Sequence, residues 1–519
     1  MYLTQPLHRA VQQTPDAINS VYRDRALTHR QVRDRVARIA GGLRARGVRT
    51  DSRVGLLSLN TDTFFHCCLA IAWADAVVVP LNTRWSVKEM SYALREADVE
   101  VLLTDDPFLG LADQLRDAVP GLREIVGIGD APVPGGLTPL ADLLAADPVE
   151  DAHRQGAELA GIFYTGGTTG LPKGVMLSHR GIFVSALGSL TALARIPRGG
   201  GNLLVAPAFH MAGFAIWVQG MLLQMTAVPL PGFDPPGVLK AIEDHRIKQA
   251  LLVPTMIQML VDHPEAQRHD LSSMESLIYG ASPISEAVLD RARKVFTGTA
   301  FTQAYGMTEL SPMATVLHWK EHIGEGRAKG RHRGAGRATL GCEVRIVDPD
   351  SKPVPHGTVG EIIVRGDNVM MGYWERPEET ARAIIDGWMH TGDSGYMDQD
   401  GFIYVVDRVK DMIISGGENV YSVEVENALA QHPAVAQCAV IGIPDERWGE
   451  TVHAVVVTRS GAKVSAGELI EFSKTLIAGY KCPRSVDISE NPLPLSGAGK
   501  ILKRALRQPF WENRERHVS

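Results

Sequence analysis

Tyr164-Thr-Gly-Gly-Thr-Thr-Gly-Leu-Pro-Lys-Gly-Val175 is the stretch on which the reading of this 519-residue chain turns. An apolar run, Gly161 to Tyr164, feeds into it and reads as a buried strand. Three glycines and three threonines follow in six positions, Thr165, Gly166, Gly167, Thr168, Thr169 and Gly170, and then comes Lys173. Glycine lets successive backbone N–H groups turn toward one anion. The threonine hydroxyls add donors, and Lys173 adds a compact charge suited to phosphate. The stretch therefore reads as a phosphate-holding loop. It is not a Walker A loop, which needs Gly before the Lys and Ser or Thr after it; here Pro172 precedes and Gly174 follows. The G-x-G-x-x-G fingerprint of dinucleotide-dependent oxidoreductases is absent. A Gly/Thr-rich surface turn is the plain alternative, but a strand has little structural need for so dense a cluster behind it.

Outward from this loop, short aliphatic runs alternate with helical patterns. Val54–Leu59, Val77–Pro80, Val99–Leu103, Leu203–Ala206, Ala250–Val253 and Ser276–Tyr279 read as strands. Strands alternating with helices predict an α/β fold with largely parallel sheets. Several of these runs are apolar throughout, as suits strands covered on both faces. Beyond about Arg337, Val344–Val347, Glu361–Arg365 and Phe402–Val406 alternate with Gly, Pro and Asp turns and predict a β-rich subdomain. A further, smaller α+β unit begins near Asp407. The expected organisation is a large N-terminal domain over 1–406, a hinge over 407–410 and a small mobile C-terminal domain over 411–519.

Composition narrows the function classes. Hydrophobic residues make up 45% and charged residues 22%, as in soluble globular proteins. The net charge is −6, so nucleic-acid binding has no basic excess to support it. The densest basic run, Arg30 to Arg53, carries Val32, Val36, Ile39, Ala40 and Leu43 at helical spacing behind a Thr28 N-cap, which makes it a solvated helix face. Five cysteines without a C-x-x-C pair fit a reducing cytoplasm rather than a disulfide framework or zinc site. Met1 to Ala10 lacks the pattern of a signal peptide. Phe64 to Leu81 is apolar but holds His66, Asp75 and Pro80, so it reads as a buried helix leading into a strand, not an integral membrane segment.

Four more segments carry chemistry. Gln303-Ala-Tyr-Gly-Met-Thr-Glu309 sets an aromatic ring, a hydroxyl and a carboxylate side by side, groups suited to base stacking, phosphate contact and Mg²⁺ ligation. Thr391-Gly-Asp393 puts a carboxylate on a tight turn, suited to ribose hydroxyls. Asp407-Arg-Val-Lys-Asp-Met-Ile-Ile-Ser-Gly-Gly-Glu-Asn419 joins an ion-rich turn to a Gly-Gly loop. Pro494-Leu-Ser-Gly-Ala-Gly-Lys500 holds a lysine on a Gly-flanked turn. Singly, each has an ordinary structural explanation; in this order they resemble the adenylate-forming superfamily of acyl- and aryl-CoA synthetases, firefly-type luciferases and peptide-synthetase adenylation domains. The resemblance spans nearly the whole chain, and within it medium-chain acyl- or aryl-CoA ligases are the nearest group. Two departures stand out. Gly166 occupies a position where the family usually has Ser, and Ser496-Gly-Ala-Gly-Lys500 replaces the usual Pro-Thr-Gly-Lys.

The resemblance implies ATP, Mg²⁺ and coenzyme A as cofactors and co-substrates, and a two-step reaction. A carboxylate attacks the α-phosphorus of ATP, and a thiol then takes the acyl group from the adenylate. Thr165, Gly166, Gly167, Thr168, Thr169, Gly170 and Lys173 would hold phosphates. Gly280, Ala281, Ser282, Ala304, Tyr305, Gly306, Met307 and Thr308 would line the nucleotide, with Tyr305 on adenine. Asp393 and Arg408 would bind ribose, and Glu309 with Thr165 would hold the metal. Lys500 would bridge the acid and the α-phosphate. Lys410 matches the hinge, whose rotation would bring the Gly416-Gly417 loop toward the thiol.

The positions matching the family's acyl pocket are Phe209, His210, Met211, Ala212, Phe214, Ile216, Ala304 and Met313. They are mostly apolar, and no Asp stands at 210 to pair with an α-amine. An aromatic or medium-chain acid is therefore expected, with His210 shaping the pocket entrance. The ATP motifs leave the acceptor open between CoA, a carrier protein, an amine or nitrite, and they also suit a luciferase-like oxygenase. The same resemblance allows a homodimer.

Overall fold

The protein is described from a computed structural model covering residues 1–165, 172–191, 199–282, 284–408, 411–415, 418–445, 447–496 and 499–512. The expectations for Gly166, Gly167, Thr168, Thr169, Gly170, Lys410, Gly416 and Gly417 concern positions that lie outside these described residues.

Two large sheets form the bulk of the chain. In the first, strands Arg53–Leu57, Val77–Pro80 and Val101–Thr104 are parallel, and Val77–Pro80 continues in parallel to Leu159–Thr165. Strand Leu159–Thr165 then turns back antiparallel to Lys173–Ser178, with Thr165 directly opposite Lys173. Residues 166–171 therefore join two antiparallel neighbours of one sheet. Helix Asp62–Trp73 is buried along its whole length against this sheet, as the apolar run from Phe64 predicts. Helix His29–Ala45 begins at Thr28 in a reciprocal capping box with Gln31 and buries Val32, Val36, Ile39, Ala40 and Leu43, leaving most of its arginines on the other face while Arg35 reaches inward to the Thr63 hydroxyl at 3.4 Å.

The second sheet is parallel through its centre, where Gly201–Leu204, Ile247–Leu252, Ser276–Gly280 and Ala300–Tyr305 lie side by side. Gly280 pairs with Ala304, so the 280–282 and 305–309 segments leave neighbouring strands at the same carboxyl edge. A Cβ at 280 would meet the Ala304 carbonyl oxygen at 2.2 Å, so only glycine lets the two strands end this close together. Carboxyl edges of parallel sheets are where α/β proteins place ligands.

The β-rich part is a five-stranded sheet built from Cys342–Val347, Gly360–Gly366, Ile384–Ile385, Trp388–Met397 and Ile403–Arg408. Here one expectation is corrected. Thr391-Gly-Asp393 is not a free tight turn but the bulged middle of strand Trp388–Met397. Glu361 pairs with Ser394 and Ile363 with His390, so residues 391–393 arch opposite the single residue Ile362. The Gly392 turn signal is real, with φ of +70°, but it is absorbed into a bulge that re-aims Asp393. Asp407 and Arg408 likewise close a strand, and Arg408 pairs with Asp393.

The C-terminal part has its own five-stranded sheet and its own core, including Ile413, Val425, Leu429, Val440, Val452, Val456 and Leu469. Its long hairpin, Val435–Asp445 with Gly449–Thr458, is covered by helices Ser422–Leu429 and Ala466–Lys474. No helix among the described residues is long and apolar enough to cross a membrane.

Candidate active site

Glu309 sits in a single 3-10 turn, Thr308–Leu310, directly after the strand that carries Tyr305. Its side chain is buried, and one carboxylate oxygen accepts a hydrogen bond from the Tyr373 hydroxyl at 2.9 Å. Burial pushes the Glu309 carboxyl up; the Tyr373 hydroxyl and the charges of Arg408 and Lys500 pull against this and only partly offset it.

Asp393, aimed inward by its bulge, is also buried. The Tyr305 hydroxyl donates to one of its oxygens at 2.8 Å, and Arg408 Nε lies 3.4 Å from the other. Burial pushes this carboxyl up as well, against the pull of Arg408, Tyr305 and Lys500. Burial, with Asp393 beside it, holds the Tyr305 phenol well above its ordinary value, so it remains a donor.

Lys500 reaches this group from the other end of the chain. Its turn is closed by Ser496 N–H donating to the Lys500 carbonyl at 2.7 Å and by Lys500 N–H donating to Ser496 Oγ at 3.1 Å. Gly499 has φ of +77°, and a Cβ there would stand 3.2 Å from Val253 Cγ2; a side chain would strain the turn and press on the large domain. The turn is seated by Arg84, which donates to the Ser496 carbonyl at 3.1 Å, and by Thr255, whose hydroxyl lies 3.4 Å from the Gly499 carbonyl. Desolvation and the neighbouring Arg408 push Lys500 down to about 8, while Asp393 and Glu309 act in the opposite direction.

Helix Pro254–Val261 and the residue after it form the rest of the seat. Gln258 donates to the Ala436 carbonyl at 2.9 Å, and Asp262 takes Arg459 at 3.2 Å. The C-terminal part is thus held with its lysine inside the site.

Lys173 is paired with Glu379, which is also bound by Arg376 at 2.7 Å, and its ammonium lies 5.1 Å from the Tyr373 ring centre. Thr165 is half-buried opposite it. Gly280 is buried at the strand end, and Ala281, with φ of +68°, and Ser282 continue from it at the surface. Ala304, Gly306, Met307 and Thr308 are half-buried around Tyr305. A Cβ on Gly306 would strike the Pro312 carbonyl at 2.1 Å, which brings Met313 under this segment.

Of the acyl-pocket candidates, Phe209, Met211 and Met313 are buried, and His210 is half-buried against the Phe209 ring at 4.5 Å between centres. Phe214 and Ile216 are buried in the same core cluster as Met211 and Met313, and Phe214 packs edge-on against Phe163 and Trp217. Four residues escaped sequence reasoning: Tyr373, Glu379, Arg84 and Thr255. Each acts through a partner far away in sequence, so no local motif marks it.

The AMP-binding enzyme model matches residues 7–374, and the AMP-binding enzyme C-terminal domain model matches residues 424–500. A feruloyl-CoA synthase from an Amycolatopsis species is 40% identical over 97% of this chain and 98% of its own. A medium/long-chain-fatty-acid–CoA ligase from Mycobacterium tuberculosis is 38% identical over 95% of this chain and 88% of its own. Among solved structures, o-succinylbenzoate coenzyme A synthetase from Bacillus subtilis, in complex with ATP and magnesium ion, superposes with a TM-score of 0.83 at 30% identity, covering 96% of this chain and 98% of that one. With both of that family's models matched and relatives of this similarity over nearly its whole length, the chain belongs to the AMP-binding enzymes, the adenylate-forming superfamily that its loops resemble.

Proposed function

We propose that the protein joins an aromatic or medium-chain carboxylic acid to coenzyme A. The reaction class is that of an ATP-dependent acid–thiol ligase working through an acyl-adenylate. The observation that carries the site reading is the convergence of Lys500, Glu309, Asp393 and Arg408, drawn from four separated motifs, close enough that each bears on the charge of another.

In the first step a carboxylate oxygen of the acid bonds to the α-phosphorus of ATP, and the bond to the β-phosphate oxygen breaks, releasing pyrophosphate. Lys500 stands where the two anionic reactants must meet and offsets their repulsion. Tyr305 and Asp393 are a joined pair: the ring faces the base, and the carboxylate with Arg408 takes the ribose hydroxyls. Lys173 and the loop from Thr165 take the outer phosphates, so Lys173 leaves Glu379 as ATP enters. Glu309 fits a hard cation, being a buried carboxylate with one oxygen oriented by Tyr373. Glu309, with the Thr165 hydroxyl, would hold a magnesium ion, which neutralises phosphate charge when bound.

In the second step the thiol sulfur bonds to the acyl carbon, the bond to AMP breaks and the thiol proton is lost to solvent. Lys500 is not needed there. Residues 407–410 act as the hinge, with Lys410 at the pivot, between a domain of 1–406 and one of 411–519. Phe209, Met211 and Met313 form the apolar wall for the acid, and His210 shapes its entrance.

The test is incubation with MgATP, CoA and a panel of aliphatic and aromatic acids, with products identified by mass spectrometry. Acyl-CoA with AMP is the expected result. Acyl-AMP without acyl-CoA would move the acceptor to a carrier protein or an amine, and light emission with a luciferin would favour oxygenation. No adenylate from any acid would count against the site assignment.

A further inference from the structure

The N-terminal helix Gln5–Gln13 meets the stretch before strand Leu159–Thr165 through a cluster that shares no residue with the adenylation site. Asp151 is buried at its centre. One of its oxygens accepts from His8 Nε2 at 2.7 Å and from Thr4 Oγ1 at 2.5 Å, and the other accepts from the His153 backbone N–H at 3.0 Å.

His153 completes it from the solvent side. Its Nδ1 lies 2.8 Å from the carbonyl oxygen of Asp151. A carbonyl can only accept, so Nδ1 carries the proton and Nε2 keeps its lone pair. A backbone carbonyl fixing the tautomer in this way is the usual outer partner of a metal-binding imidazole. The His153 ring lies parallel to that of His8, 10° apart in plane and 5.4 Å between centres, and His8 is backed by Trp73 at 4.8 Å. His153 is exposed, has a left-handed backbone with φ of +55°, and also meets the Tyr2 ring edge-on at 5.4 Å between centres. One ligand atom from each of His8, Asp151 and His153 lies within 4.8 Å of the other two, the one such group among the described residues.

We propose that His8, Asp151 and His153 form a site for a divalent transition-metal ion of the zinc class, separate from the metal that accompanies ATP. Two imidazoles and a carboxylate are the donor set of such ions, whereas magnesium prefers oxygen donors alone. The ion replaces the proton between His8 Nε2 and Asp151. Zinc bonds of about 2.0–2.1 Å set tetrahedral ligands about 3.3 Å apart, so this contact opens by roughly half an ångström. The exposed side leaves the fourth position to water. The ion would pin the N-terminal helix to the connection entering the phosphate hairpin, a structural rather than a catalytic service.

The test uses the full chain stripped of metal with a chelator and then titrated with Co²⁺, read by its visible absorption, and with Zn²⁺, read by calorimetry and thermal melting. Saturable binding is expected, with a Tm raised by several degrees. His153→Ala, exposed and outside the adenylation site, should lose the tetrahedral Co²⁺ spectrum and the Zn²⁺-dependent Tm shift. Its metal-free Tm and its acyl-adenylate formation should match the parent. His8→Gln should lose the same signals. Equal spectra and equal Tm shifts in parent and variants, or no saturable binding by the parent, would overturn the proposal.

Discussion

The Tyr305 hydroxyl donates to the Asp393 carboxylate at 2.8 Å, joining the end of strand Ala300–Tyr305 to the bulge at 391–393. Hydrogen bonds to charged groups contribute about 1.5–3 kcal/mol. Tyr305→Phe keeps the ring and removes this bond, so Asp393 loses one of its two partners. The KM for ATP should rise roughly 10-fold or more, with kcat changing less. Steady-state kinetics with varied ATP checks this; an unchanged KM would show that the bond does not persist with nucleotide bound.

Glu309 is a case in which function and stability oppose one another. Its folded carboxyl is raised by burial, so its stabilising contribution is complete below the unfolded value and is lost as pH rises through the folded one. At neutral pH its ionisation costs stability unless a cation is present. Glu309→Gln should therefore melt no lower than the parent without ATP, while pyrophosphate exchange falls on the order of 10²–10³-fold. Melting curves and exchange assays on one preparation decide it.

Tyr373→Phe tests the same carboxylate indirectly. Removing the 2.9 Å hydrogen bond frees Glu309 to rotate. Loss of an outer partner typically weakens metal binding about 10–100-fold, so half-maximal activity should need correspondingly more Mg²⁺ and saturating Mg²⁺ should recover most of the rate. Failure of excess Mg²⁺ to rescue would assign Tyr373 to packing alone.

Lys500, pushed down to about 8 by desolvation and Arg408, loses its charge as pH rises through that value. Adenylation at subsaturating ATP should decline above about pH 8 in step. Lys500→Arg remains charged throughout, so its profile should be flat there, at a lower plateau set by the wider guanidinium. Exchange assays across this range compare the two.

The seat on helix Pro254–Val261 should matter to one half-reaction only. Arg459→Ala breaks the 3.2 Å contact with Asp262. A partly exposed pair contributes about 0.2–1 kcal/mol, so adenylation should slow by at most about 5-fold, while transfer from preformed acyl-AMP to CoA should not. Lys410→Pro should show the converse, sparing adenylation and abolishing transfer. Single-turnover measurements of each step separate them.

Much of this arrangement was legible in the sequence because strand and loop signals are local. The capped helix behind Thr28, the strand into Thr165 and the α/β-to-β change near Arg337 all follow from spacing and turn residues. The bulge at 391–393 did not, because Thr-Gly-Asp has the same composition in a turn and in an arched strand; only pairing with 361–363 distinguishes them. The partners of Glu309 and Lys173 were silent for another reason. Tyr373 and Glu379 are a tyrosine and a glutamate like any others until the fold brings them across.

The Thr165–Lys173 pairing sets different rules for spelling and for spacing. Along a strand, side chains alternate between faces, so sliding this pairing by one residue would turn every later side chain of one strand to the opposite face. Lys173 would then leave Glu379 and the Tyr373 ring, and the buried row containing Val175 and Leu177 would be turned toward the other face. Letters within the loop can drift, as Gly166 does, without touching this register. The ladder acts as a ruler, and the register of its two strands is harder for mutation to change than the identity of the residues that join them.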